Sequence, residues 1–325
     1  VDCHFEEDDF ETYSNKLTKK LSYHLGCFLK RNYVKILVCG NTFLSGEHGI
    51  FISDTENKKD VLKQIVLGIQ ELIELTPSLK KHTDIILIKD FAPDSLPVAS
   101  SLEKMNFSSI KVDPSMVLTL DPNWKSFNDY LDDFRSKFRV KAKKAYKDSK
   151  DTVVKPLNAD DIITYHDDLV NLYSNVITKA SFNIATLEIN TYHELKKQYP
   201  EAFIINSYWL NHKMIGFASG MINKGVLDAD YIGLDYEVNT SNSTYSRILY
   251  DYVVIGIEKK LKAINFGRTS GEIKSTLGAL PEELTFYLRH RKSVANFFFK
   301  PFLKRIRPKP FEQRYPFKKE RAVII

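Results

Sequence analysis

The chain has 325 residues, 47 Lys+Arg against 41 Asp+Glu for a formal charge of +6, and is 43% apolar and 27% charged. This balance belongs to an ordinary globular protein and excludes a disordered or fibrous chain. No apolar run approaches the ~20 residues needed to span a bilayer, and three cysteines without a CxxC exclude a disulfide framework.

In chain order, Phe10, Tyr13, Leu17, Leu21 and Leu25 recur at helical spacing and predict a helix over 8–30. VKILVCG (34–40) and HGIFIS (48–53) read as short strands either side of the turn GNTFLSGEHG. A helix follows at 57–75, with Val61, Ile65, Leu72 and Leu75 as its apolar face and Pro77 as its stop. Then come a strand at 84–90, a short helix at 96–107 and a strand at 116–121. Residues 123–150 form one long helical pattern with Trp124, Phe127, Tyr130, Leu131, Phe134 and Phe138 as its stripe. A strand at 153–158 and helices at 159–180 and 190–198 lead to three strands, 202–210, 214–222 and 226–235, which form an antiparallel meander. EVNTSNST (237–244) reads as a loop, followed by a helix at 244–261, a strand at 263–267, a helix at 270–279 and a strand at 284–289.

The net charge is unevenly spread. Residues 134–150 carry +7 and residues 289–325 carry +10, so the other 271 residues carry −11. Such asymmetry points to anionic partners. The tail SVANFFFKPFLKRIRPKPFEQRYPFKK (293–319) mixes phenylalanines with Lys and Arg, a composition suited to an anionic membrane surface. The acidic start VDCHFEEDDF does not read as a secretory signal, and a cytoplasmic setting, peripheral at the inner membrane face, is expected.

The order of elements resembles that of the GNAT acyltransferase superfamily, and its recurrence along the chain resembles the tandem-GNAT FemABX-type group. Three stretches carry the likeness. YLDDFRSKFRVKAKKA (130–145) is similar to the Y-L-x-x-L-x-x-K-x-R-x-x-x-K-K-A helix that joins the two halves. DYIGLD (230–235) with STYSRILYDYVVIGIEKK (243–260) resembles the strand, loop and helix around the donor site. NFGRTSGEIKSTLGA (265–279) resembles the family's G-x-x-x-x-x-x-K-x-x-x-G segment. The likeness covers residues 120–290 in motif and 34–120 in element order only.

The resemblance implies an α/β fold with mixed sheets, two tandem GNAT-like domains joined by a long helix. The expected divisions are 1–122, the connecting basic helix 123–152, the donor-site domain 153–290 and the tail 291–325. It implies a bacterial acyltransferase, of N-acetyltransferase type, that moves an acyl group directly from acetyl-CoA or another acyl-CoA to an amine on a small molecule or cell-envelope precursor. The alternatives are an aminoacyl-tRNA-dependent peptidoglycan peptide transferase and a catalytically degenerate binding module. Nucleic acid other than that tRNA is not expected, nor is a metal. One departure stands out: many GNAT enzymes carry Q/R-x-x-G-x-G/A before the long helix, whereas VNTSNSTYSRI (238–248) has no glycine.

Acyl transfer needs a hold on the donor, polarisation of its carbonyl and a path for the proton. The start of the 244–261 helix offers free amides and a positive dipole end, with Ser241, Ser243 and Thr244 adding hydroxyls; Asn239 and Tyr245 flank it. The resemblance assigns carbonyl polarisation to backbone near Tyr231, Gly233 and Leu234. Asp228, Asp230 and Asp235 lie on one strand, and an acid between apolar neighbours in mid-strand needs a reason. Asp230 with Tyr231 is expected to serve as acid/base or as substrate contacts. The resemblance places Arg268 and Lys274 beside the acyl site, as contacts to a phosphate or carboxylate of the substrate.

Overall fold

The computed structural model describes residues 2–4, 33–179, 186–303 and 305–319. The helix expected at 8–30 lies outside them. The strands are β1 (Asp2–His4), β2 (Tyr33–Cys39), β3 (Ile85–Phe91), β4 (Ser108–Thr119), β5 (Val153–Pro156), β6 (Phe203–Leu210), β7 (Lys213–Asn223), β8 (Val226–Leu234), β9 (Ala263–Asn265) and β10 (Leu280–His290). The α-helices among the described residues are α1 (Lys58–Leu75), α2 (Pro77–His82), α3 (Leu96–Ala99), α4 (Phe127–Asp132), α5 (Ser136–Asp148), α6 (Ala159–Thr164), α7 (His166–Ile177), α8 (Asn190–Gln198), α9 (Tyr236–Asn242), α10 (Thr244–Glu258), α11 (Gly271–Ser275) and α12 (Ser293–Leu303).

The chain forms two compact units that interleave in sequence: the first comprises 1–42, 46–112 and 284–307, the second 43–45, 113–283 and 308–325. In the first, β2 and β3 pair in parallel, with Ile36 opposite Ile85, and β10 pairs antiparallel with β3, with Arg289 opposite Ile86. Helix α1 starts at Asn57, whose side chain accepts from the amides of Lys59 and Asp60. It buries Leu62, Val66 and Ile73, and leaves Leu72 and Leu75 exposed. The apolar face is therefore turned from the expected one. Leu62, Val66, Ile69 and Ile73 satisfy helical spacing equally well, and the contacts with Ile86 and Ile88 decide between the two stripes. Residues 48–53 form no strand, and the helix expected at 96–107 is α3 followed by 3-10 turns.

In the second unit β5, β6, β7 and β8 form the expected antiparallel meander; β9 pairs parallel with β8 and antiparallel with β4. One core packs β4, α4, α5 and α10 together, and another packs α6, α7 and α8 against β6 and β7. The single helix expected over 123–150 is two. A capping box between Ser126 and Asp129 opens α4, and the chain turns extended at Arg135 before α5. There Phe134 bridges Phe317, Arg135 N donates to Pro316 O at 2.8 Å, and Lys318 N donates to Asp133 O at 2.8 Å. Trp124, Tyr130, Phe134 and Phe317 bury their rings together, which outweighs the helical propensity of three residues. The end of the basic tail is thus part of a core. The helix expected at 159–180 is likewise split, at Tyr165, between α6 and α7.

Candidate active site

The site is built where β8 changes neighbours. β8 pairs with β9 at Val226, Leu227 and Asp228. After Asn265 the chain turns to β4: Phe266 N donates to Met116 O at 2.8 Å, and Met116 N to Gly267 O at 3.0 Å. β8 and the segment after β9 therefore part beyond Asp228. Asn265 holds the branch point, its Nδ2 donating to Asp228 Oδ1 at 3.0 Å and to Ser45 O at 3.1 Å.

Just past the branch, β8 carries a bulge. Its register with β7 passes from Ala218 opposite Ile232 to Gly220 opposite Ala229, so Ser219 faces two residues, Asp230 and Tyr231. Ser219 Oγ donates to Tyr231 O at 2.9 Å, satisfying a carbonyl that the bulge removes from the ladder. Asp230 Oδ1 is inaccessible to solvent and has no hydrogen-bond partner. Burial first, and the neighbouring Asp228 carboxylate second, push the Asp230 carboxyl up to about 7. The Tyr231 ring packs edge-on against Tyr173 (5.3 Å) and Phe43 (6.4 Å), and burial raises its phenol.

The other expected residues fall into two groups. Gly233 is buried with its Cα against Phe217 and Leu172: a Cβ would lie 2.3 Å from Phe217 Cε1, so close packing of α7 on the meander requires this glycine. Leu234 is buried too, and its carbonyl accepts from Asn175 Nδ2 at 3.1 Å. The stretch expected as a loop is α9, capped by Asp235, which also pairs with Lys213 at 2.8 Å. Asn239 Oδ1 accepts from Tyr245 N at 2.8 Å, and Ser243, in the left-handed region, donates its hydroxyl to Asp148 at 2.7 Å. Ser241 donates to Val238 O at 3.1 Å, while buried Thr244 accepts from Asn242. Several groups expected to hold a pyrophosphate are thus spent on protein partners, and the Asp148 carboxylate already lies at the start of α10. These residues do not fit a coenzyme A pyrophosphate at that helix end.

Lys274 is 5% exposed and donates to the carbonyls of Phe266 (2.6 Å), Gly267 (3.3 Å) and Arg268 (2.9 Å). Its ammonium closes the turn after β9, and desolvation pulls it down to about 7. Its contacts are carbonyls in place of the expected phosphate or carboxylate; the Arg268 side chain beside it is half-buried. A pocket of about 370 Å³ opens at the start of α9, lined by Asn175, Thr178, Lys179, Lys213 and Glu237; Asp230, in the middle of β8, does not line it. Sequence reasoning missed Ser219, Asn265 and the buried tyrosines Tyr192 and Tyr252; the one signal for Ser219 was a hydroxyl between small residues in mid-strand.

No family model matches the sequence, and no curated protein sequence matches it. Solved structures do. The chain is similar to FemX (12% identity, 78% of this chain and 80% of that chain, TM-score 0.51) and to L-PGS from Bacillus licheniformis (11%, 76% and 78%, 0.50). A tandem GNAT protein from the clavulanic acid biosynthesis pathway is a weaker likeness (10%, 74% and 73%, 0.47). The chain thus shares the fold of FemX and of L-PGS.

Proposed function

We propose that the second unit transfers an acyl group directly from an activated ester or thioester to an amine, with Asp230 receiving the amine proton. The observation that carries this is Asp230 itself: a carboxyl on the bulge of β8, beside the parting of β8 and β9, unpartnered at Oδ1 and titrating near 7. A base with that pKa is half ionised at neutral pH and strong enough to take the proton that a neutral amine becomes ready to lose as its nitrogen bonds to the carbonyl carbon. The amine nitrogen bonds to the donor's carbonyl carbon, the tetrahedral oxyanion collapses, and the donor's oxygen or sulfur leaves with a proton. Asp230 takes the nitrogen's proton and returns it to the leaving group. Amides of β8 beyond Ala229, freed from β9, are suited to the oxyanion.

Two donors come with this fold resemblance, acyl-CoA and aminoacyl-tRNA, and one pair of observations favours the second. The start of α10 is engaged by Asn239 and Asp148. Helix α5, in the same unit, exposes Lys137, Lys141, Lys143, Lys144 and Lys147, a row suited to a nucleic-acid backbone. Parallel transfer assays with charged tRNA and with acetyl-CoA, on amine acceptors, test the proposal. Asp230→Asn is expected to lower kcat by about 10²–10⁴ and to remove the rise of rate with pH through neutrality. Aminoacyl transfer that weakens steeply with salt supports the tRNA reading; acetyl transfer instead restores acyl-CoA. Transfer from neither donor leaves a binding module and overturns the proposal.

A further inference from the structure

Helix α12 is apolar on both sides. One side is packed: Ala295, Asn296 and Leu303 are buried, with Phe299 against the cluster that holds Ile85, Leu87 and Leu303. The opposite side carries Val294 and Phe297 (each 73% exposed), Phe298 (42%) and Phe302 (36%), with Pro301 exposed among them. At about 100° per residue these five lie within one arc of about 140°. Singly exposed apolar residues are normal, but a contiguous face of this kind marks an interaction surface.

The stretch of chain that contains this helix carries charge of one sign. Residues 284–311 contain eight Lys/Arg and no Asp or Glu. Arg291 is turned inward to Glu74 at 2.9 Å, but Lys292 before the helix and Arg305 and Arg307 after it are exposed, and Lys300 lies at the edge of the apolar arc. Eleven residues of helix reach about 16 Å, too short to cross a bilayer. Among the described residues no helix is long and apolar enough to cross one.

We propose that α12 is an interfacial anchor, laying Phe297, Phe298 and Phe302 into the surface of an anionic lipid bilayer with Lys292, Lys300, Arg305 and Arg307 at headgroup level. Aromatic rings beside cations suit that boundary, where apolar burial and attraction to anionic lipid act together. A second copy of the chain is disfavoured as occupant, since a two-fold contact would set this cationic rim against itself. The inference is independent of the acyl-transfer reading.

Co-sedimentation of the full chain with vesicles tests it, comparing phosphatidylcholine alone with phosphatidylcholine containing phosphatidylglycerol. The expected result is selective binding to the anionic vesicles, weakened by salt as the Debye length shrinks. Phe297→Glu with Phe298→Glu is expected to reduce partitioning by about ten-fold or more, with an unchanged melting temperature because both rings are exposed. Lys292→Glu with Lys300→Glu should abolish the preference for anionic lipid while keeping the fold. No binding to anionic vesicles, or equal binding by the double-Phe variant, overturns the proposal. So does a wild-type dimer in light scattering that the double-Phe variant converts to monomer.

Discussion

The Ser219 hydroxyl lies 2.9 Å from the carbonyl oxygen of Tyr231, and that contact pins the bulge of β8. Ser219 Oγ has one proton, given to Tyr231 O, so the Tyr192 hydroxyl at 2.8 Å must donate to Ser219. The Tyr252 hydroxyl donates to the Ser219 carbonyl at 2.6 Å, so two buried tyrosines and one serine fix the backbone that presents Asp230. Ser219→Ala would leave the Tyr231 carbonyl and the Tyr192 hydroxyl short of partners. It is expected to cost about 1–3 kcal/mol in urea unfolding. An unchanged denaturation midpoint would show that the bulge does not depend on this hydroxyl.

Asp230 makes stability depend on pH with a definite sign. Its folded carboxyl titrates near 7 against an ordinary 3.8, so the folded state holds the proton more tightly across that window. Stability therefore falls as pH rises from about 4 to about 7, by at most about 4 kcal/mol, and is level above it. Asp230→Asn should flatten that part of the curve and melt higher than wild type at pH 8. A variant with an unchanged pH profile would place the titration elsewhere.

Lys274 has the opposite arrangement in charge. Its folded ammonium loses its proton near 7, well below the ordinary 10.5, so the unfolded chain binds the extra proton between those values. Stability from this group rises as pH rises from 7 toward 10.5. Lys274→Met should remove that alkaline rise. It should also cost about 1–3 kcal/mol at neutral pH, because the carbonyls of Phe266, Gly267 and Arg268 lose their donor. Thermal melts of both proteins across pH 6–10 check both parts.

Gly233 is expected to tolerate no side chain. In Gly233→Ala the new Cβ would lie 2.3 Å from Phe217 Cε1 and 2.7 Å from Leu172 Cβ, and overpacking of this kind costs about 1–3 kcal/mol. Shortening the obstacle should recover part of that loss, so Gly233→Ala with Phe217→Leu is expected to be more stable than the sum of the single changes. Strict additivity would show that the glycine serves the backbone path of β8 instead of the packing.

Much of the candidate site was legible because its signals are local. An aspartate between apolar neighbours in DADYIGL stands out without any knowledge of partners, and the long helix after it is announced by its own periodicity. The bulge was not legible, because register is a relation between β7 and β8 that neither strand states alone. Helix α9 hid behind a polar NTSN run that reads as a loop; Asp235 caps it, and the chain closes onto α10 through Asn239. Lys274 was expected to meet a phosphate or carboxylate, and only the path of the chain after β9 brings three carbonyls to its ammonium instead.

The same division runs through the whole molecule. Composition, periodicity and charge blocks determined by themselves that the chain is α/β, that a three-strand meander precedes a long helix, and that cations gather on two segments; each follows from residues close in sequence. The tertiary structure decided the rest. Phe317 broke the helix at Phe134, the contacts with β3 chose which stripe of α1 is buried, and packing left one face of α12 exposed. Those outcomes depend on which surfaces meet, and burial free energy shared between distant segments outweighs the fractions of a kcal/mol in local propensity.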